Sequence, residues 1–216
     1  MLDIYKKSLK IIEEIYHLSQ YYKDEDLFRI VDIIHSLDDK QIICKNDLCE
    51  NLHNLHNNNK FSVDWDDRIP LEKEKYNILI GGGWYGLNAN LLKDKFKNCK
   101  IDSLDMDSGC YVWGKKLFPE VNFIIGDLFE YETDVTYDIF ISTSVEHFDK
   151  EEFVYYLKEK KFKICALQSN NFYEIDTHIN CSKNIDEFIE YLPLTKILYK
   201  NTIKFDNYDR FTVIGQ

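Results

Sequence analysis

A three-layer α/β sandwich is the fold this sequence predicts, with a seven-stranded, mostly parallel sheet, a C-terminal antiparallel hairpin and preceding helices. Three observations predict it. From residue 76 onward, short apolar runs alternate with helical segments of about ten residues, the pattern of parallel strands joined by crossover helices. The first strand runs directly into a glycine cluster, Gly81, Gly82, Gly83 and Gly86. The last two apolar runs follow one another across the polar, turn-prone connector Asp206-Asn207-Tyr208-Asp209, which marks a hairpin.

Helical periodicity covers residues 2–20, 24–37 and about 45–57. The second of these opens on Asp24-Glu25-Asp26 and sets Leu27, Ile30, Val31, Ile34 and Leu37 on one stripe. A loop at 56–60 and a polar connector at 62–70 end this region. The chain therefore divides into a helical region, 1–70, and an α/β domain, 71–216. Within the domain, strands are predicted at 76–80, 100–104, 121–125, 137–141 and 162–168. Helices are predicted at 87–96, 110–118, 151–160 and 184–191, and the hairpin strands at 194–205 and 211–215.

Composition narrows the function. With 216 residues, 44% hydrophobic and 15% aromatic, the chain can bury a substantial core. A formal net charge of −11 argues against nucleic acid, which demands a basic footprint. The amphipathic start lacks the form of a signal peptide, and no apolar run approaches a membrane span, so a cytoplasmic protein is expected. The six cysteines show no CxxC pairing and read as reduced thiols. Cys49, His53 and His56 could share a helix face, but without a second ligand cluster no metal site is expected.

The motif Gly81-Gly82-Gly83-Trp84-Tyr85-Gly86 fits G-x-G-x-x-G between a strand and a helix. Glycine there lets the backbone turn sharply and approach a ligand, and the helix start offers free N–H groups. Asp105, at the end of the second strand, is placed to accept from both hydroxyls of a ribose. Asp107 has the simpler role of capping the next helix. Asp127 follows the third strand, where it could accept from an adenine amino group with Leu128 and Met106 on the ring faces. Its alternative is to serve its own turn.

In this order the segments NILIGGGWYG (77–86), IDSLDMD (101–107), VNFIIGD (121–127) and YDIFISTSVEHF (137–148) resemble the class I, Rossmann-like S-adenosylmethionine-dependent methyltransferases. The resemblance covers residues 76–216 and includes the terminal hairpin. It implies S-adenosylmethionine as cofactor, held by Gly81, Gly83, Trp84, Tyr85, Gly86, Asp105, Met106, Asp127, Leu128 and Ser142. It also implies that the first 70 residues cover the crevice or pair two copies into a homodimer.

Two positions depart from the family. Leu79 stands where an acid often helps to hold the methionine part, and the bulky Trp84-Tyr85 occupies a turn that usually carries small residues. Trp84 is either an aromatic wall for a sulfonium or a packing residue. On the substrate side, His147 is the candidate base with Glu146 beside it. Tyr85, His147, Asn170, Asn171 and His178 are candidates for holding a small or medium-sized polar acceptor, the expected partner. For His147 the alternative is capping or packing, and for Asn170 and Asn171 it is ordinary turn chemistry. Aminocarboxypropyl transfer, cyclisation or lyase chemistry with the same cofactor is the nearest rival. An NAD-dependent oxidoreductase and a non-catalytic binding protein stand further off.

Overall fold

A computed structural model describes residues 25–58 and 75–216. The predicted helix over 2–20 and the connector at 62–70 lie outside the described residues. Two helices come first, α1 (Glu25–Ser36) and α2 (Asp39–Asn57). The sheet then forms from β1 (Asn77–Gly81), β2 (Lys100–Asp105), β3 (Asn122–Ile125), β4 (Ile139–Ser142) and β5 (Ile164–Asn170), closed by the hairpin β6 (Ile197–Lys204) and β7 (Asp209–Gly215). Between them lie α3 (Leu87–Lys93), α4 (Ser108–Leu117), α5 (Lys150–Lys160) and α6 (Ile185–Tyr191), with one 3-10 turn at Val145–His147.

The seven strands run in the order β3-β2-β1-β4-β5-β7-β6. The first five are parallel, and β7 pairs antiparallel with both β5 and β6. The chain works outward from β1 to β3 and then returns to place β4 on the other side of β1. This reversal of direction opens a crevice at the carboxyl ends of the strands.

Alternation along the strands divides the core into two layers. Ile78, Ile80, Ile139 and Ile141 join one cluster, whereas Leu79, Phe140, Leu167 and Val213 join the other. The first cluster also holds Ile33 from α1 and Leu48, Cys49 and Leu52 from α2. These two helices therefore share the core of the sheet.

Some boundaries differ from the sequence prediction, each for a local reason. The second helix starts at Asp39, six residues earlier than the periodicity suggests, because the Asp38 side chain accepts from the Gln41 N–H at 2.8 Å and caps it. On α1 the buried stripe is Ile30 and Ile33, continued by Leu37 just beyond its end, while Val31 and Ile34 are exposed. The β5 strand continues to Asn170 because β7 supplies partners that far, pairing Asn170 with Arg210. The third helix ends at Lys93, short of the expected 96.

Asp107, Asp149 and Asn184 cap α4, α5 and α6 through their side chains, the first as expected. The six cysteines are free, and four of them are buried. No helix among the described residues is long and apolar enough to cross a membrane.

Gly86 begins α3 with φ at 84°, and a Cβ there would come within 2.4 Å of the Phe123 ring. Both strain and overlap oppose any side chain. Gly86→Ala is expected to destabilise the fold by about 2–4 kcal/mol in urea unfolding. Gly126→Ala, whose Cβ would make only ordinary contact with Leu104, should stay within about 0.5 kcal/mol of the parent.

Candidate active site

The crevice has a volume of about 1150 Å³. That exceeds the space one small ligand usually takes, leaving room for a second. Its floor comes from the ends of β1, β2 and β4. Gly82 faces into it with φ at 64°, and a Cβ there would lie 2.7 Å from Ser144 Oγ. The other glycines of the motif do not line it. Gly81 abuts Phe140 and Leu128, Gly83 abuts Ser103, and Gly86 abuts Phe123.

Asp105 lines the crevice at the end of β2. Its Oδ2 accepts from the Trp84 N–H at 2.8 Å, and its Oδ1 from the Asp107 N–H at 3.0 Å. Burial raises its pKa, with both backbone N–H groups pulling the other way. The carboxylate is thus fixed in position while one lone pair on each oxygen stays available. Asp127 also lines the crevice, and its Oδ1 accepts from the Phe129 N–H at 2.8 Å, so the local turn role is realised. Leu128 is buried beside it, and Met106 is 74% exposed at the rim.

The opposite wall is made by the first two helices, through Asp32, His35, Asp38, Asp39, Lys40, Gln41 and Lys45. One clamp fastens α1 to the glycine turn. Asp32 Oδ2 accepts from Trp84 Nε1 at 3.1 Å and from the Tyr85 hydroxyl at 2.6 Å. Arg29 donates to the same hydroxyl at 3.2 Å and pairs with Asp107. Burial would raise the Asp107 pKa, but the bonds from Arg29 and the Gly109 N–H hold it low.

This clamp decides where the two bulky turn residues point. Tyr85 is 1% exposed and is absent from the crevice lining, which corrects its expected place at cofactor and acceptor. Trp84 does line the crevice, but the Lys45 ammonium sits 4.9 Å over its ring and His35 packs edge-on at 5.7 Å. A sulfonium against that ring would meet a neighbouring cation.

At the far end, Glu146 is buried and its Oε1 accepts from Asn170 at 2.7 Å and from Arg210 at 2.6 Å. Arg210 also donates to the Thr143 carbonyl. Burial of the guanidinium works against its charge, but the Glu146 carboxylate outweighs that and raises its pKa. His147 and His178 flank Glu146, with ring centroids 4.7 Å apart. Desolvation lowers the His147 pKa, against the pull of Glu146.

Two further expected positions, Ser142 and Asn171, fall elsewhere. Ser142 is fully buried in β4, and Thr143 and Ser144 line the crevice in its place. Asn171 accepts from the Asp209 N–H at 2.6 Å and ties β5 to β7. Gln168 donates to the Cys44 carbonyl at 2.8 Å and to Thr212 at 2.9 Å, docking α2 on the sheet. Ser169 is buried. Of the polar run 168–171, only Asn170 reaches the crevice.

No known sequence family and no curated protein matches this sequence. Solved structures do match. The N-methyltransferase NodS from Bradyrhizobium japonicum WM9 aligns with 65% of this chain and 84% of its own, at 10% identity and a TM-score of 0.53. Its complex with S-adenosyl-l-homocysteine aligns at 10% identity over 65% and 76%, with a TM-score of 0.52. The PH0226 protein from Pyrococcus horikoshii OT3 aligns over 67% and 83%, at 16% identity and a TM-score of 0.52. The fold is that of the class I S-adenosylmethionine-dependent methyltransferases. Within this methyltransferase fold, Leu79 lies in the second core cluster at 1% exposure, so no carboxylate enters the crevice from that position.

Lys45, Asp32 and Arg210 were not expected at the crevice. A signal for Lys45 exists in the sequence, because it interrupts the apolar stripe Ile42, Leu48, Cys49 and Leu52 of α2. Burial, then the nearby Arg210, push its pKa from 10.5 down to about 8. Below pH 8 the ammonium is charged in both folded and unfolded chains, and its full burial cost is present. That cost fades as pH rises toward 10.5. Lys45→Met should therefore raise stability by about 2–3 kcal/mol at pH 7, with the gain shrinking at pH 10, both read by urea denaturation.

Proposed function

We propose that this chain is a methyltransferase that uses S-adenosylmethionine and acts on a small or medium-sized polar acceptor. The observation that carries the reading is Asp105. Its carboxylate is held by two backbone N–H groups at the strand end beside Gly82, where the two hydroxyls of a ribose could donate to it. NodS, of like fold, holds S-adenosylhomocysteine in one of its structures, which supports the cofactor. In this reading Asp127 accepts from the adenine amino group, and Leu128 and Met106 cover the ring. The cofactor supplies an electrophilic methyl group.

The chain's own task is then alignment, because methyl transfer needs a nucleophile placed in line with the carbon. Asn170 and His178 line the crevice beyond Asp105 and would orient the acceptor, and a proton leaving it would be received at His147 beside Glu146. The wall formed by α1 and α2 supports a covering role for the helical region. The acidic balance supports a metabolite acceptor over nucleic acid, and the free thiols support a cytoplasmic setting.

Calorimetric titration should show S-adenosylmethionine and S-adenosylhomocysteine binding below millimolar concentration. Asp105→Ala should weaken both by about 10–100-fold, or about 1.4–2.8 kcal/mol. Absence of binding by the parent chain overturns the reading. Turnover that yields methylthioadenosine in place of S-adenosylhomocysteine transfers the assignment to non-methyl chemistry.

A further inference from the structure

The group Glu146, His147 and His178 is arranged as a set of metal ligands. One ligand atom from each lies within 4.8 Å of the other two. Three independent features go beyond proximity.

First, the two histidines are in the form that binds a metal. The Nδ1 of His147 lies 3.1 Å from the Thr177 carbonyl, and the Nδ1 of His178 lies 2.6 Å from the Phe172 carbonyl. A carbonyl only accepts, so both Nδ1 atoms carry the hydrogen and both Nε2 atoms keep a free lone pair. A backbone carbonyl behind the ring is the usual support of a ligating imidazole.

Second, the carboxylate is half used. Glu146 Oε1 is committed to Asn170 and Arg210, while Oε2 is buried with no hydrogen-bond partner among the described residues. An unpaired buried carboxylate oxygen is costly, and a cation would satisfy it. Third, Asp149 and Glu152 line the same mouth of the crevice and supply negative potential.

We propose that Glu146 Oε2 and the Nε2 atoms of His147 and His178 bind one divalent transition-metal cation. Two imidazoles and a carboxylate suit ions of the zinc, iron and cobalt kind over magnesium or calcium. Three protein ligands leave part of the coordination sphere open to the crevice, where an oxygen of the acceptor could bind. An ion there would acidify that oxygen, so that its proton could pass to water in the crevice, and His147, with its Nε2 ligated, would not receive it. The site revises the expectation of no metal, and it lies far along the chain from the Cys49, His53 and His56 set. In that earlier set Cys49 is buried in the core and both imidazoles pack against Phe96.

Metal binding does not depend on the cofactor, so the test separates the two proposals. Full-length protein, stripped with chelator, is titrated with cobalt(II) alone and followed by its visible d–d spectrum. One equivalent is expected to bind at micromolar affinity or tighter. His147→Ala and His178→Ala should each weaken it by about tenfold or more, and Glu146→Gln, which keeps the bonds to Asn170 and Arg210, should do likewise. His53→Ala and His56→Ala should leave it unchanged. No saturable cobalt spectrum, or one that survives both His147→Ala and His178→Ala, overturns the metal site. S-adenosylhomocysteine binding to the stripped protein, measured in parallel, reports separately on the cofactor reading.

Discussion

The buried ion pair of Arg210 with Glu146 joins the beginning of β7 to the turn after β4, and through Asn170 to the end of β5. Two charges removed from water are costly unless every remaining donor and acceptor finds a partner. Here the guanidinium reaches both the carboxylate and the Thr143 carbonyl, and the carboxylate also takes the Asn170 amide. The pair therefore fixes a geometry more than it adds stability. It ties the 3-10 turn that carries His147 to β5 and β7, and it leaves the other carboxylate oxygen buried without a hydrogen-bond partner among the described residues.

A second constraint acts at the other end of the crevice. The glycine turn is usually discussed as a surface for a ligand, but here much of it is a surface for the protein. All four of its glycines lie close against neighbouring side chains, and Trp84 and Tyr85 both bond to Asp32 of α1. The first helices are thereby fastened to the element that shapes the cofactor side. Asp32 and Arg29 together tie α1 to the turn. Lys45 adds to that tie by placing its charge over the Trp84 ring.

What could be read from sequence follows from the range of the interactions involved. Strands, their order of appearance, the hairpin and the cap at Asp107 are written in local patterns, and the structure reproduces them. The place of Asp105 at the crevice was legible because it depends on strand position alone. Tyr85 was not, because its direction is set by Asp32 and Arg29, more than fifty residues earlier. Ser142 and Asn171 look like crevice residues by position, yet strand alternation and pairing with β7 turn them into the scaffold. Arg210 sits in an apolar strand with no local sign of its partner, since Glu146 lies 64 positions away. The tautomers of His147 and His178 depend on carbonyls that only the folded loop brings near.

The placement of β7 between β5 and β6 has a consequence for how the molecule is made. A ribosome releases β5 well before β7, so the growing chain carries an unsatisfied sheet edge through the whole of α6 and β6. Over the same interval Glu146 has no arginine, and the carboxylate that ends up shielded is still free to stay hydrated. The crevice therefore cannot take its described form until β7 has been made, because Arg210, the partner of Glu146, lies on that strand.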